Sequence, residues 1–253
     1  MLHVNDIEKF VKENITDCMI THDFLHFKLV SVGAVWFVRV LGGDKYEQDL
    51  AYIAGLLHDS VRPETEKIDH AEASAEKARN VLEEFNLDSE DIDKICQAIM
   101  SHRKPVEWIS SLHQSVFLAD KIFEQMGYYV AFRRSAYVSE CKDYVDLPFK
   151  EAVVKHFAYR VGKFGIDDFP SKFKNLTEEM MKPLFKFTEL LSKNEEWAVS
   201  LASFCYEKAK TKDMTMEEII RNFQPDNEMS ELYKKETIDY IEGRKFEEFE
   251  KMI

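Results

Sequence analysis

Apolar residues recur at three- and four-residue steps along nearly the whole chain, which predicts helices rather than strands. Ile7, Phe10, Val11 and Ile15 mark a first amphipathic helix, and Thr16-Asp17 offers a cap for the next. That second helix, residues 18–41, sets His26, Val30, Gly33 and Phe37 along one stripe before Gly42-Gly43 stops it. A third, residues 46–58, gathers Ala51, Ala54, Gly55 and His58 on one face, small enough for close approach of a neighbouring helix. After a polar connection, Asp69 reads as an N-cap with Glu72 three positions on, an approximate capping box. The helix it starts turns His70, Ser74, Ala78 and Leu82 to one side. Ile92, Ile95, Ile99 and His102 repeat the pattern until Pro105 bars continuation, and a helix over 111–127 carries Val116, Phe117, Asp120 and Phe123. Beyond residue 128, amphipathic helices are expected over 149–164, 173–191, 195–210, 216–223 and 230–251.

Composition supports this all-α reading. Only 8 Gly and 6 Pro in 253 residues argue against a turn-rich all-β fold. No linker, repeat or low-complexity segment divides the chain. Residues 1–165 are expected to form a helical core, and residues 166–253 a C-terminal extension or cap, separate from that core or part of it. The net charge of −13 excludes an extended nucleic-acid backbone as a partner of the surface as a whole. The 4 cysteines are widely spaced, with no Cys-x-x-Cys pair, as in a reduced cytoplasmic protein. The longest apolar run, residues 29–41, is broken by Arg39 and too short to span a bilayer.

The chemistry lies in the polar residues that this pattern turns inward: His26, His58, Asp59, His70, His102 and Asp120. Any one buried histidine is ordinarily a hydrogen-bonded core residue. Five of these six positions fall on the apolar stripes or at the helix ends they approach, on three or four separate helices, which calls for a shared reason, and a divalent metal supplies it: imidazoles and carboxylates are its standard ligands, and a buried carboxylate without a partner is costly. Neighbouring helical residues point about 100° apart. His58 and Asp59 can therefore serve one ion only near the helix terminus, or Asp59 can bridge two.

These residues resemble the HD superfamily of metal-dependent phosphohydrolases. His26 in His-Phe-Lys-Leu-Val looks like the family's first histidine, His58-Asp59 like its doublet, and Asp120 in Leu-Ala-Asp-Lys-Ile like its final aspartate. His70 and His102 look like the additional pair of two-metal members, in the contexts His-Ala-Glu-Ala-Ser-Ala and Gln-Ala-Ile-Met-Ser-His. Gly127-Tyr-Tyr-Val-Ala-Phe-Arg133 is similar to segments of a bacterial and archaeal subgroup of small HD hydrolases, whereas Leu118-Ala119-Asp120 departs from that subgroup's acidic pair. The resemblance covers residues 21–134 and implies a helical bundle with metal between helices. It implies His26, His58, Asp59 and Asp120 at a first ion, His70 and His102 at a second, and Asp59 bridging. The cofactor implied is one or two divalent transition ions (Mn, Fe, Co or Ni), with a metal-activated hydroxide attacking phosphorus in a nucleotide or other small phosphate ester or anhydride.

Cations are needed where phosphoryl charge develops. Arg62, Lys67, Arg103, Lys121 and Arg133 are the candidates, with Arg62 and Arg133 foremost beside the catalytic Asp59. Glu64 or Glu66 could serve as acid or base. His22 shares a helix face with His26 and could substitute for it, although the Val30 context favours His26. His3, His113 and His156 read as packing or surface residues. Two other classes stay open: an HD-type di-iron oxygenase, and a non-catalytic nucleotide-binding sensor.

Overall fold

The computed structural model describes residues 2–15, 19–62, 69–144 and 146–253; among these it is helical, with 13 α-helices and no strand. The Thr16-Asp17 cap, Glu64, Glu66 and Lys67 lie outside the described residues. The chain divides into two compact units, one of residues 1–18 and 22–121, the other of residues 19–21 and 122–253. The boundary expected near residue 165 falls inside the second unit.

In the first unit, α1 (Val4–Asn14), α2 (Phe24–Val40), α3 (Lys45–Leu57), α4 (His70–Glu84), α5 (Ser89–Met100) and α6 (Ser111–Leu118) enclose one core. Helix α2 packs on α3 and α6, α3 on α5, and α4 on α5. Phe27, Val30, Ala34 and Phe37 of α2 are fully buried, the side of α2 that sequence spacing turned inward. Burying each large side chain of this set stabilises the fold by roughly 1.5–3 kcal/mol.

Helix α2 begins at Phe24 rather than near residue 18. The Asp23 carboxylate accepts hydrogen bonds from the Leu25 and His26 amides, satisfying donors that a helix start leaves open, and a 3₁₀ turn over Ile20–His22 precedes it. Its end follows expectation. Gly42 adopts φ of +89°, its amide bonds to the Arg39 carbonyl, and the Gly43 amide bonds to the Val38 carbonyl, the paired bonds of a Schellman motif. Asp44 and Glu47 form a reciprocal capping box at the start of α3. Asp69 caps α4 through the Ala71 amide, with no return bond from Glu72.

The second unit holds α7 (Tyr129–Glu140), α8 (Phe149–Val161), α9 (Lys174–Ser192), α10 (Glu196–Thr211), α11 (Met216–Asn222), α12 (Glu228–Ile241) and α13 (Phe246–Glu250), with α7 packed on α10. The single helix expected over 230–251 is two helices, because Gly243 takes the left-handed conformation, with φ of +77°, and ends the first. Buried Tyr240 donates to the Glu124 carboxylate within this unit, and residues 20–21 are held to α7 through the Glu140 carboxylate. Among the described residues no helix is long and apolar enough to cross a membrane.

Candidate metal centre

Every candidate ligand sits at or next to a helix terminus, or in a distorted turn, where the backbone departs from regular geometry. Gly55 lets α3 lie against α2: a Cβ there would stand 2.5 Å from the Ser31 Cα. One turn on, His58 closes α3, and the chain then leaves the helix, so the adjacent Asp59 is freed from the helical angle and turns into the same space. The Asp23 cap fixes the first turn of α2, which carries His26. His70 is the first residue of α4, and His102 lies two residues past the end of α5. Asp120 lies in a π-helical turn, Ala119–Phe123, instead of the continuous α-helix expected over 111–127.

The two oxygens of Asp59 face different imidazoles. Oδ2 lies 3.7 Å from the Nε2 atoms of both His26 and His58, and 3.8 Å from that of His22. Oδ1 lies 3.5 Å from His70 Nε2 and 3.4 Å from His102 Nε2. Asp120 Oδ1 stands 4.0 Å from His26 Nε2. Among the described residues the donor atoms form three groups, each within 4.8 Å: His22, His26 and Asp59; His26, His58 and Asp120; and Asp59, His70 and His102.

Hydrogen bonding fixes which ring nitrogen is available. Nδ1 of His58 lies 2.7 Å from the Gly55 carbonyl and Nδ1 of His102 lies 2.6 Å from the Ile99 carbonyl. A carbonyl can only accept, so each Nδ1 carries a proton and each Nε2 is turned inward; on neutral His58 that Nε2 presents a lone pair. His58 Nε2 and Asp59 Oδ1 are buried and have no hydrogen-bond partner among the described residues. Lone pairs of nitrogen and oxygen that converge in a buried space repel one another unless a cation lies between them. This donor set therefore fits a divalent transition ion, and the backbone carbonyls behind the rings are the outer partners that such ligands ordinarily have.

The electrostatics agree. Burial pushes the His58 imidazole down to about 3 against the pull of Asp59, and burial likewise lowers His70 to about 4. Both rings are neutral at physiological pH, the form that binds metal. Burial favours protonation of Asp59 and Asp120, but the Arg62 guanidinium beside the first and the Lys121 ammonium beside the second hold both carboxyls well below the usual range.

Arg62 Nη1 donates to Asp59 Oδ2 at 3.0 Å, so this arginine stands at the centre. Lys121, buried beside its neighbour, directs its ammonium to Asp120 Oδ2. Arg103 pairs with the capping Asp69 at 2.7 Å. Arg133 belongs to the second unit, where it is buried, donates to the Thr21 carbonyl at 2.9 Å and lies beside Glu124. His22, which the sequence offered as a substitute for His26 while the Val30 context favoured His26, joins the donor groups together with it. The signal for it was the four-residue interval on one face. Nothing in the sequence signals the Asp120–Lys121 pair, because adjacent residues diverge in a regular α-helix and meet here in a π-turn.

Residues 24–123 match the family model of the HD domain, and this part of the chain is an HD domain. The domain is an all-α fold of the metal-dependent phosphohydrolase superfamily, and the matched segment spans His26, His58, Asp59, His70, His102 and Asp120. No curated protein matches the chain. Among solved structures, the fold is similar to that of Bacillus subtilis YpgQ, crystallised in complex with ADP. That likeness has a TM-score of 0.52 at 17% identity, over 78% of this chain and 100% of the YpgQ chain.

Proposed function

We propose that this chain is a metal-dependent phosphohydrolase acting on a small phosphate ester or anhydride, with nucleotides as the substrate class. The observation that carries this reading is the split of Asp59, whose Oδ2 faces His26 and His58 while Oδ1 faces His70 and His102. His26, His58, Asp59 and Asp120 would hold one ion, and Asp59, His70 and His102 a second. Bound divalent ions supply a water of lowered pKa and polarise phosphoryl oxygens.

The remaining work falls to the chain itself. The side chains of Arg62 and His70 are 24% and 23% exposed, against 1% for His26 and His102, so the centre opens on the Arg62–His70 side. Arg62 gives an N–H to Asp59, and its guanidinium stands where it would meet phosphoryl oxygens entering there. Lys121 offsets the charge of Asp120 and keeps that carboxylate ionised and oriented. Nucleotides rank first because the similar YpgQ chain was crystallised with ADP.

The test is phosphate release from nucleoside mono-, di- and triphosphates with Mn, Co, Ni, Mg and Fe, comparing wild type with Asp59→Ala. Release by wild type that is abolished in the variant is the expected result, and equal activity in the two would refute the assignment. Tight nucleotide binding without release under any metal would make the protein a sensor. Oxygen consumption coupled to substrate would make it an oxygenase.

A further inference from the structure

We propose that His22 is a fifth protein ligand at the first metal position, beside His26, His58, Asp59 and Asp120; this deepens the metal-dependent reading above and rests on it. His22 lies outside the segment that matches the HD domain, residues 24–123, so the family match assigns it no role.

Its placement is that of a ligand. The side chain is 3% exposed, and its Nε2 stands 3.8 Å from Asp59 Oδ2, beside the 3.7 Å of His26 and His58 to that same oxygen. These separations are longer than an ordinary hydrogen bond. Ligands held about 2.1 Å from one ion lie about 3–3.5 Å from each other, close to the spacing seen. The rings of His22 and His26 are nearly perpendicular, with centroids 5.4 Å apart. They meet edge to face, and both Nε2 atoms reach the same oxygen.

The backbone accounts for the convergence. His22 ends the 3₁₀ turn and immediately precedes Asp23, whose carboxylate binds the Leu25 amide at 3.0 Å and the His26 amide at 3.4 Å. The cap thus fixes the chain between the two histidines. Five protein donors would leave a six-coordinate ion one place for an exchangeable ligand. Phosphoryl binding then falls mainly to the second position, on the side where Arg62 and His70 are exposed.

Cobalt titration of the full-length apo protein, followed by visible absorption, tests this. The double variant His70→Ala/His102→Ala isolates the first position, and His22→Ala and His22→Gln are added to it separately. Thermal unfolding without metal checks that each variant folds, and His22→Gln, which keeps a polar side chain of similar bulk, decides the matter should His22→Ala unfold. Loss of an outer partner of a ligand typically costs 10–100-fold in metal affinity. Loss of a ligand should therefore weaken cobalt binding by about 100-fold or more and change the visible bands, with His22→Asp recovering part of the affinity. Unchanged affinity and bands in the His22 variants, while the isolated position still binds cobalt, would overturn this inference alone. Wild-type protein that binds no cobalt would overturn the metal-dependent reading together with it.

Discussion

Asp59 Oδ1 lies 3.4 Å from His102 Nε2, while Nδ1 of the same ring lies 2.6 Å from the Ile99 carbonyl and so turns Nε2 toward the carboxylate. A ring nitrogen and a carboxylate oxygen held this close, deep in a folded domain, are the donor types that a divalent cation takes. The other oxygen of the same carboxylate repeats the relationship with His58, whose Nδ1 is tied to Gly55. One carboxylate thus joins two sets of imidazoles. A helix start at Asp23, a helix end at Leu57 and the exit from α5 at Met100 bring those sets together.

Arg62→Ala should separate chemistry from metal binding. Arg62 approaches Asp59 through one N–H, while the ligands number at least six other side chains. Its loss is expected to lower turnover by about 10²–10³, the usual effect of removing one donor that stabilises a charged transition state, and to leave the metal stoichiometry intact. Steady-state kinetics alongside elemental analysis checks both halves. Unchanged turnover would remove Arg62 from the phosphate-binding role.

Gly55→Ala should destabilise the first unit without touching a ligand. The added Cβ would stand 2.5 Å from the Ser31 Cα, a backbone atom that cannot move aside cheaply. Overpacking of this kind costs about 1–3 kcal/mol, read as a lower urea midpoint. Metal affinity should fall in parallel, since His58 rests on the Gly55 carbonyl. A midpoint equal to wild type would contradict the close approach of α2 and α3.

His156 carries a pH dependence of its own, away from the ligands. It is buried among Tyr137, Tyr144 and Phe157, and burial lowers its imidazole to about 2, with Arg134 and Arg160 adding to the effect. The folded value lies below the unfolded one, so the ring is neutral in the fold and the unfolded chain takes up the additional proton. The associated stability is complete above about pH 6.5 and is lost as the pH falls. Between pH 7 and pH 5 the loss amounts to about 2 kcal/mol. Urea unfolding of His156→Asn should show a correspondingly smaller decline over that interval, and a decline equal to that of wild type would contradict the neutral buried ring.

Much of this was legible in the chain. The apolar spacing around His26, Ile99 and Phe117 identifies helices and their inner faces, and those residues are buried. The doublet His58-Asp59, with histidines and an aspartate on other helices, marks the family, and residues 24–123 match it. What spacing could not supply lies at places where regular geometry ends. The true start of α2 depends on a side-chain cap at Asp23 that competes with an apolar run extending further back. The π-turn that brings Lys121 against its neighbour Asp120 has no periodic signature. The division after residue 121 follows three-dimensional packing, with no change in composition to announce it.

The most direct measurement is the metal content of the full-length protein after dialysis against Mn or Co, compared among wild type, His102→Ala and Asp59→Ala. Two ions per chain in wild type, one in His102→Ala and none in Asp59→Ala are expected if Asp59 joins two sites. Metal content in Asp59→Ala equal to that of wild type would contradict it.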